Sequence, residues 1–134
     1  MNREISTDRT SWLLPIILES QSNRKGETPL IHVIATITAK PGRRAELLER
    51  FLTVVPLVHA EDGCIEYRPI IDNDAGLDGA REPIGGDSYI VIEKWISVEA
   101  LDAHGETDHM RKFGEEAGDM IAKRQLYVMR DAQA

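Results

Sequence analysis

The stretch Tyr89-Ile-Val-Ile-Glu-Lys-Trp-Ile-Ser-Val-Glu-Ala-Leu-Asp-Ala-His104 holds a strand, a cap and a helix in sixteen residues. Tyr89 to Ile96 reads as a strand, because β-branched and aromatic residues fill it and side chains alternate across it. Tyr89, Val91, Glu93 and Trp95 share one face; Ile90, Ile92, Lys94 and Ile96 share the other. Ser97 is a good helix N-cap, and Glu99 falls in the first turn, where the helix dipole favours an anion. Val98, Ala100 and Leu101 give a short apolar stripe, and the helix stops near His104-Gly105. Glu93 and Trp95 therefore bring an acid and a large aromatic to whatever pocket their face lines.

Working outward, the chain has 134 residues, enough for one domain with one sizeable core. A hydrophobic share of 42% and a charged share of 29% are ordinary for a globular protein. The net charge of −7 favours neither nucleic acid nor an anionic membrane surface as partner. One cysteine, Cys64, excludes an internal disulfide and suits a reducing compartment. Cys64 reads as a small buried residue; a reactive thiol is the weaker alternative, since no His or Lys adjoins it in sequence. The apolar run Trp12–Leu18 is broken by Pro15, too short to span a bilayer, and lacks the flanks of a signal peptide. The expected location is the cytoplasm.

Residues 1–30 read as an N-terminal arm, 31–130 as the domain and 131–134 as a tail. The Trp12–Leu18 patch would be costly to leave in water, so the arm packs on its own domain or reaches a neighbouring subunit. Strand one is Leu30–Ala39, with Ile31, Val33, Ala35, Ile37 and Ala39 on one face. Pro41-Gly42 turns the chain into helix one, about Arg43 to Ala60, with Leu47, Leu48, Phe51, Leu52, Val55 and Val58 inside. Pro56 should kink or loosen its last turn. Gly63 permits the turn into strand two, Cys64–Ile71, and Asp72–Ser88 is a long acidic loop with four glycines. Helix three is expected from an Asp108 cap to about Lys123, with Met110, Phe113, Ala117, Met120 and Ile121 buried, and strand four at Arg124–Arg130. The order βαββααβ is a ferredoxin-like α+β plan, with helices on one face of an antiparallel sheet. Strands one, three and four carry apolar residues on both faces, so the uncovered face needs a partner, and a second copy related by a twofold axis fits best.

Four blocks together resemble the antibiotic biosynthesis monooxygenase family, the small cofactor-free quinol oxygenases, over about residues 31–130. They are Lys40-Pro41-Gly42 after strand one, Glu61-Asp-Gly63-Cys64-Ile-Glu-Tyr67, Glu93-Lys-Trp95, and Ala100-Leu-Asp-Ala-His104 with His109 shortly after. The resemblance implies a homodimer whose two sheets close an α/β barrel; the arm, outside the resemblance, would build a higher oligomer if it reaches a neighbouring subunit. It implies a monooxygenase that oxidises a hydroquinone or polyphenol with O2 and needs no cofactor. The chemistry asks for a base to take a phenolic proton, an apolar aromatic-lined pocket, and a donor to steady the anion.

By that resemblance His104, His109 and Glu93 are the catalytic candidates, and Trp95, Tyr67, Phe113 and His32 line the substrate site. Each has a plainer reading. His104 and His109 lie beside a helix–helix turn, where a histidine often only caps or faces solvent. Trp95 is equally a packing residue. Glu93 in an apolar strand needs a partner or a raised pKa, and an Arg from a neighbouring strand or subunit would satisfy it. His32 is most simply a half-buried core or interface residue, and Tyr67 and Tyr127 either line the pocket or pack with their hydroxyls bonded. Haem-degrading relatives carry an Asn in strand one and an iron-ligating His on helix three; the matching positions here are Ala35 and about Gly114, which cannot serve. Metal motifs are weak: Asp72-Asn-Asp74-Ala-Gly76 misplaces its glycine for a calcium loop, and His104 and His109 are five apart, not at helical zinc spacing. Two further readings remain: a non-catalytic dimeric barrel that binds a small apolar ligand, and an isomerase or lyase on the same fold.

Overall fold

A computed structural model describes residues 29–74 and 82–133. The 1–28 segment, with the Trp12–Leu18 patch, and the middle of the 72–88 loop lie outside the described residues. Contacts gather Ile31–Met129 into one compact unit.

The elements are β1 (Ile31–Ala39), α1 (Arg44–His59), β2 (Cys64–Ile70), β3 (Ser88–Trp95), α2 (Val98–Gly105), α3 (Asp108–Ala117), a 3-10 turn (Gly118–Met120) and β4 (Ile121–Met129). The strands form one antiparallel sheet in the order β2-β3-β1-β4. This is the ferredoxin-like α+β plan expected from the order of the elements. The sheet is open and four-stranded within one chain.

Alternation along β1 and β3 sets the core. Ile31, Val33, Ala35, Ile37 and Ala39 are buried, as are Tyr89, Val91, Glu93 and Trp95 of β3. The register places Trp95 opposite Ile31 and Glu93 opposite Val33, so these two rows share one face. Leu47, Phe51, Val54 and Val58 of α1, with Ala117 and Met120, cover that face. Burying such a row is the main stabilising term, at roughly 25 cal/mol for each Å² of apolar surface removed from water. Among the described residues, the Tyr89 hydroxyl in this core is buried with no hydrogen-bond partner.

Three details depart from the sequence reading. Leu52, expected inside α1, is 51% exposed, and Val54 takes its place. Residues 47, 51, 54 and 58 follow a 3.6-residue period, and Leu52 lies off that line. The α3 cap is Thr107, whose hydroxyl accepts from Met110 N at 3.3 Å, so Asp108 is the first helical residue. The helix also stops at Ala117 and β4 begins three residues earlier than expected, at Ile121. Gly114 and Gly118 are poor helix formers, and Lys40 N donates to Met120 O at 2.8 Å, drawing the chain into the sheet.

No described helix covers the other sheet face. His32, Ile34 and Thr36 of β1, Ile90, Ile92 and Lys94 of β3, and Gln125, Tyr127 and Met129 of β4 share it by register. Tyr127 and Met129 are exposed there, while Leu126 and Val128 of the edge strand are exposed on the helix side. No described helix is long and apolar enough to cross a membrane.

Candidate functional site

At the β2–β3 end of the sheet, local sequence brings distant residues together. α1 ends at His59, and a tight turn follows in which Cys64 N donates to Glu61 O at 3.2 Å. Gly63 holds φ +85°, and a Cβ there would come within 2.7 Å of both Ala100 and Ile96. Only glycine therefore allows this turn to lie against the start of α2. Ile96 N donates to Gly63 O at 2.8 Å, closing the contact. Ser97 caps α2 by accepting from Ala100 N at 3.1 Å, which fixes the direction in which the helix leaves Trp95. At its far end Thr107 donates to His104 O at 3.0 Å while capping α3. These caps hold His104 and His109 on the two sides of one rigid corner.

The side chains converge on Glu61. His104 Nδ1 lies 3.1 Å from each carboxylate oxygen of Glu61, and His109 Nε2 lies 2.6 Å from Oε2. The His104 ring sits 4.8 Å from the indole of Trp95 and 5.2 Å from the ring of Tyr67, centroid to centroid. Tyr67 and Trp95 meet edge-on at 6.4 Å. Phe51 joins the group from α1, stacked on Tyr67 at 5.7 Å. Trp95 and Tyr67 are fully or almost fully buried, and His104 is only 8% exposed.

Trp95 Nε1 donates to Glu93 Oε1 at 2.9 Å, a bond between neighbours on one strand face. Burial is the main force on the Glu93 carboxyl and raises its pKa, and the negative Glu61 adds to the rise; the Trp95 bond, His104 and Arg124 oppose it. The direct bond of Glu93 is to the indole and not to the Arg foreseen from a neighbouring strand; Arg124 acts only electrostatically, from β4, which lies beyond β1. The fold holds the Glu93 proton more tightly than the unfolded chain does. Stability is therefore lost as pH rises through the folded value, and the loss is absent below the unfolded one. Glu93→Gln keeps an acceptor for the indole and removes the charge. It should raise the melting temperature at neutral pH, with the gain vanishing towards pH about 4, where even an unperturbed carboxyl is largely protonated. Thermal melts of both proteins across that range check it.

The other titratable groups fit an apolar setting. Burial, with smaller pushes from Glu61, Glu93 and Glu66, takes the Cys64 thiol up to about 12, so it is a structural cysteine and a poor nucleophile. Burial, then Glu93, raises the Tyr67 phenol, which stays a neutral donor at all ordinary pH. Among the described residues no group of three or more His, Cys, Asp and Glu is arranged to hold a metal ion.

Of the residues singled out from sequence, His104, His109, Glu93, Trp95 and Tyr67 come together. Phe113 stands one ring removed, edge-on to Phe51 at 5.6 Å. His32 does not join them: it pairs in register with Lys94, on the sheet face opposite Trp95. Glu61, quoted as part of a motif but given no role, is the residue sequence reasoning missed. Its partners are 43 and 48 positions away, so no local spacing could reveal it. An open groove of about 520 Å³ lies elsewhere, between the start of α1 and the approach to β3, lined by Gly42, Arg44, Leu48, Leu52, Gly86 and Asp87. None of the converging residues lines it.

An open antiparallel sheet with the described helices on one face, and a buried imidazole set among an indole, a phenol and a carboxylate, defines a small α+β protein with one polar cluster in an aromatic surround. Residues 30–116 match the model of the antibiotic biosynthesis monooxygenase family. The chain is 37% identical over 95 residues to the Escherichia coli K12 protein named "Probable quinol monooxygenase YgiN", covering 69% of this chain and 89% of that one. It belongs to the antibiotic biosynthesis monooxygenase family. Solved structures agree on the fold. PA3566 from Pseudomonas aeruginosa superposes with a TM-score of 0.66 at 24% identity, over 78% of this chain and 95% of that one. Rv0793 from Mycobacterium tuberculosis gives 0.63 at 22% identity, over 76% and 94%.

Proposed function

We propose that this protein oxidises a hydroquinone or related polyphenol with O2 and without a cofactor, with His104 as the base. The observation that supports this best is the His104 imidazole, almost fully buried yet in contact with both Trp95 and Tyr67. A phenol loses its proton to the imidazole, and the phenolate then gives an electron to O2 far more readily than the phenol would. The balance closes without an added reductant: hydroquinone and O2 give a hydroxylated quinone and water, the ring supplying the electrons. Trp95 offers a flat apolar wall. The neutral Tyr67 hydroxyl is a donor near developing negative charge. Access is from the side of His109, whose side chain is the most exposed of the three in the imidazole–carboxylate cluster, at 21%.

Oxygen uptake with a panel of hydroquinones, against a buffer blank for autoxidation, tests the reading. Uptake above the blank with a hydroxylated quinone as product supports it; ligand binding with no uptake would favour a binding module instead. We further propose that the helix-free sheet face and the apolar edge strand β4 are covered by a second copy, closing a barrel across two chains. Light scattering at micromolar concentration should give twice the chain mass, and a charge placed at Tyr127 or Met129 should lower it; a monodisperse monomer would exclude this assembly.

A further inference from the structure

With His104 as the base, two points turn on its surroundings: which of its nitrogens takes the proton, and what His109 does. The hydrogen bonds around Glu61 decide both. An ionised carboxylate only accepts, so each nitrogen that bonds to it must carry a hydrogen. His104 meets Glu61 through Nδ1, at 3.1 Å from both oxygens, and His109 meets it through Nε2, at 2.6 Å. Against an ionised Glu61, a neutral His104 carries its hydrogen on Nδ1. Its Nε2 keeps the lone pair and has no hydrogen-bond partner among the described residues. The other imidazole is the reverse: His109 has its Nε2–H spent on the carboxylate, and its side chain is twice as exposed as that of His104, 21% against 10%.

We propose that Glu61 is the positioning residue of this site: it fixes His104 in the Nδ1–H tautomer, makes Nε2 the basic atom, and stabilises the imidazolium that forms when Nε2 takes a proton. His109 acts through Glu61, holding the carboxylate in place with the shortest bond of the cluster, and is not the base. In the step itself the substrate O–H bond breaks, an Nε2–H bond forms, and the positive charge on His104 is balanced by the Glu61 carboxylate at Nδ1. No proton needs to move onto Glu61. A carboxylate that orients and charge-balances a histidine base has the same logic in other acid–base sites, where replacing it by the amide costs up to about 10⁴-fold in turnover. Here the geometry is made by the Gly63 turn, which presses Glu61 towards α2, and by the Thr107 cap, which turns His109 back towards it. The charged and titratable groups around His104 are Glu61 from the turn, His109 from α3, Tyr67 from β2 and Glu93 from β3, with Arg124 of β4 acting on Glu93.

The assignment of the base rests on the proposed oxidation, but the tautomers do not, so two measurements separate them. Nitrogen-15 shifts of the imidazoles in the resting, ligand-free protein should show His104 as Nδ1–H and His109 as Nε2–H. Glu61→Gln should abolish the His104 preference while the amide spectrum of the sheet stays in place. An Nε2–H tautomer at His104 in the natural protein would overturn the proposal without any variant. With a hydroquinone that the natural protein oxidises, Glu61→Gln should lower kcat by about 10²- to 10⁴-fold and move KM by no more than a few-fold. A fall confined to KM, or full kcat, would also overturn it. Should the natural protein take up no oxygen with any hydroquinone, the oxidation reading falls, and the nitrogen shifts still decide the role of Glu61.

Discussion

Replacing His104 by Ala should lower oxygen uptake at saturating hydroquinone by about 10²- to 10⁴-fold, the usual contribution of a general base. The effect should fall on kcat, because a base acts on the proton in flight and the rest of the proposed site is left in place. His109→Ala is the control that separates the two histidines. It removes a support of Glu61 and should cost less than His104→Ala. Equal activity of both variants with the natural protein, above the autoxidation blank, would mean that neither histidine is the base. Circular dichroism guards the comparison, since His104 packs on two rings and its loss leaves a small cavity beside them.

Trp95→Ala should be the most destabilising single change in the sheet. The indole is fully buried, touches Tyr67 and His104, and donates to Glu93. Truncating a buried aromatic costs about 3–5 kcal/mol through lost transfer energy and the cavity left behind. Domains of this kind are stable by about 5–15 kcal/mol in all, so much of the margin goes. The change also leaves a buried carboxylate without its donor, which adds to the cost. Trp95→Phe separates the two effects, since it keeps most of the ring area and removes only the N–H. It should cost about 1–3 kcal/mol, and less in Glu93→Gln than in the natural protein, because a neutral amide suffers less from losing a partner. Urea unfolding of the four proteins gives the coupling directly; a Trp95→Phe cost unaffected by Glu93→Gln would show that the indole N–H does not matter to the carboxyl.

The fold was legible in sequence where one local signal set it. Runs of β-branched and aromatic residues at 31–39 and 89–95 marked two strands, and a period of two divided each into its two rows of side chains. Ser97 marked the start of α2, since its hydroxyl satisfies a helix N–H whatever the rest of the chain does. The shared face of Glu93 and Trp95 likewise followed from two positions on one strand. Errors arose where tertiary contacts outweighed propensity. The end of α3 depends on a bond from Lys40, and the exposure of Leu52 depends on how α1 is rolled on the sheet. Neither is written in the local pattern. The placement of His32 away from the site follows from the side of the sheet the helices cover, a choice the two-faced apolar strands left open. Glu61 shows the same division most clearly. The sequence supplied an acid before a glycine turn and two histidines about a helix corner. Only the close approach of Gly63 to Ala100 and Ile96, possible because that residue has no Cβ, set the carboxylate between the two imidazoles and so determined which nitrogen of His104 is left free.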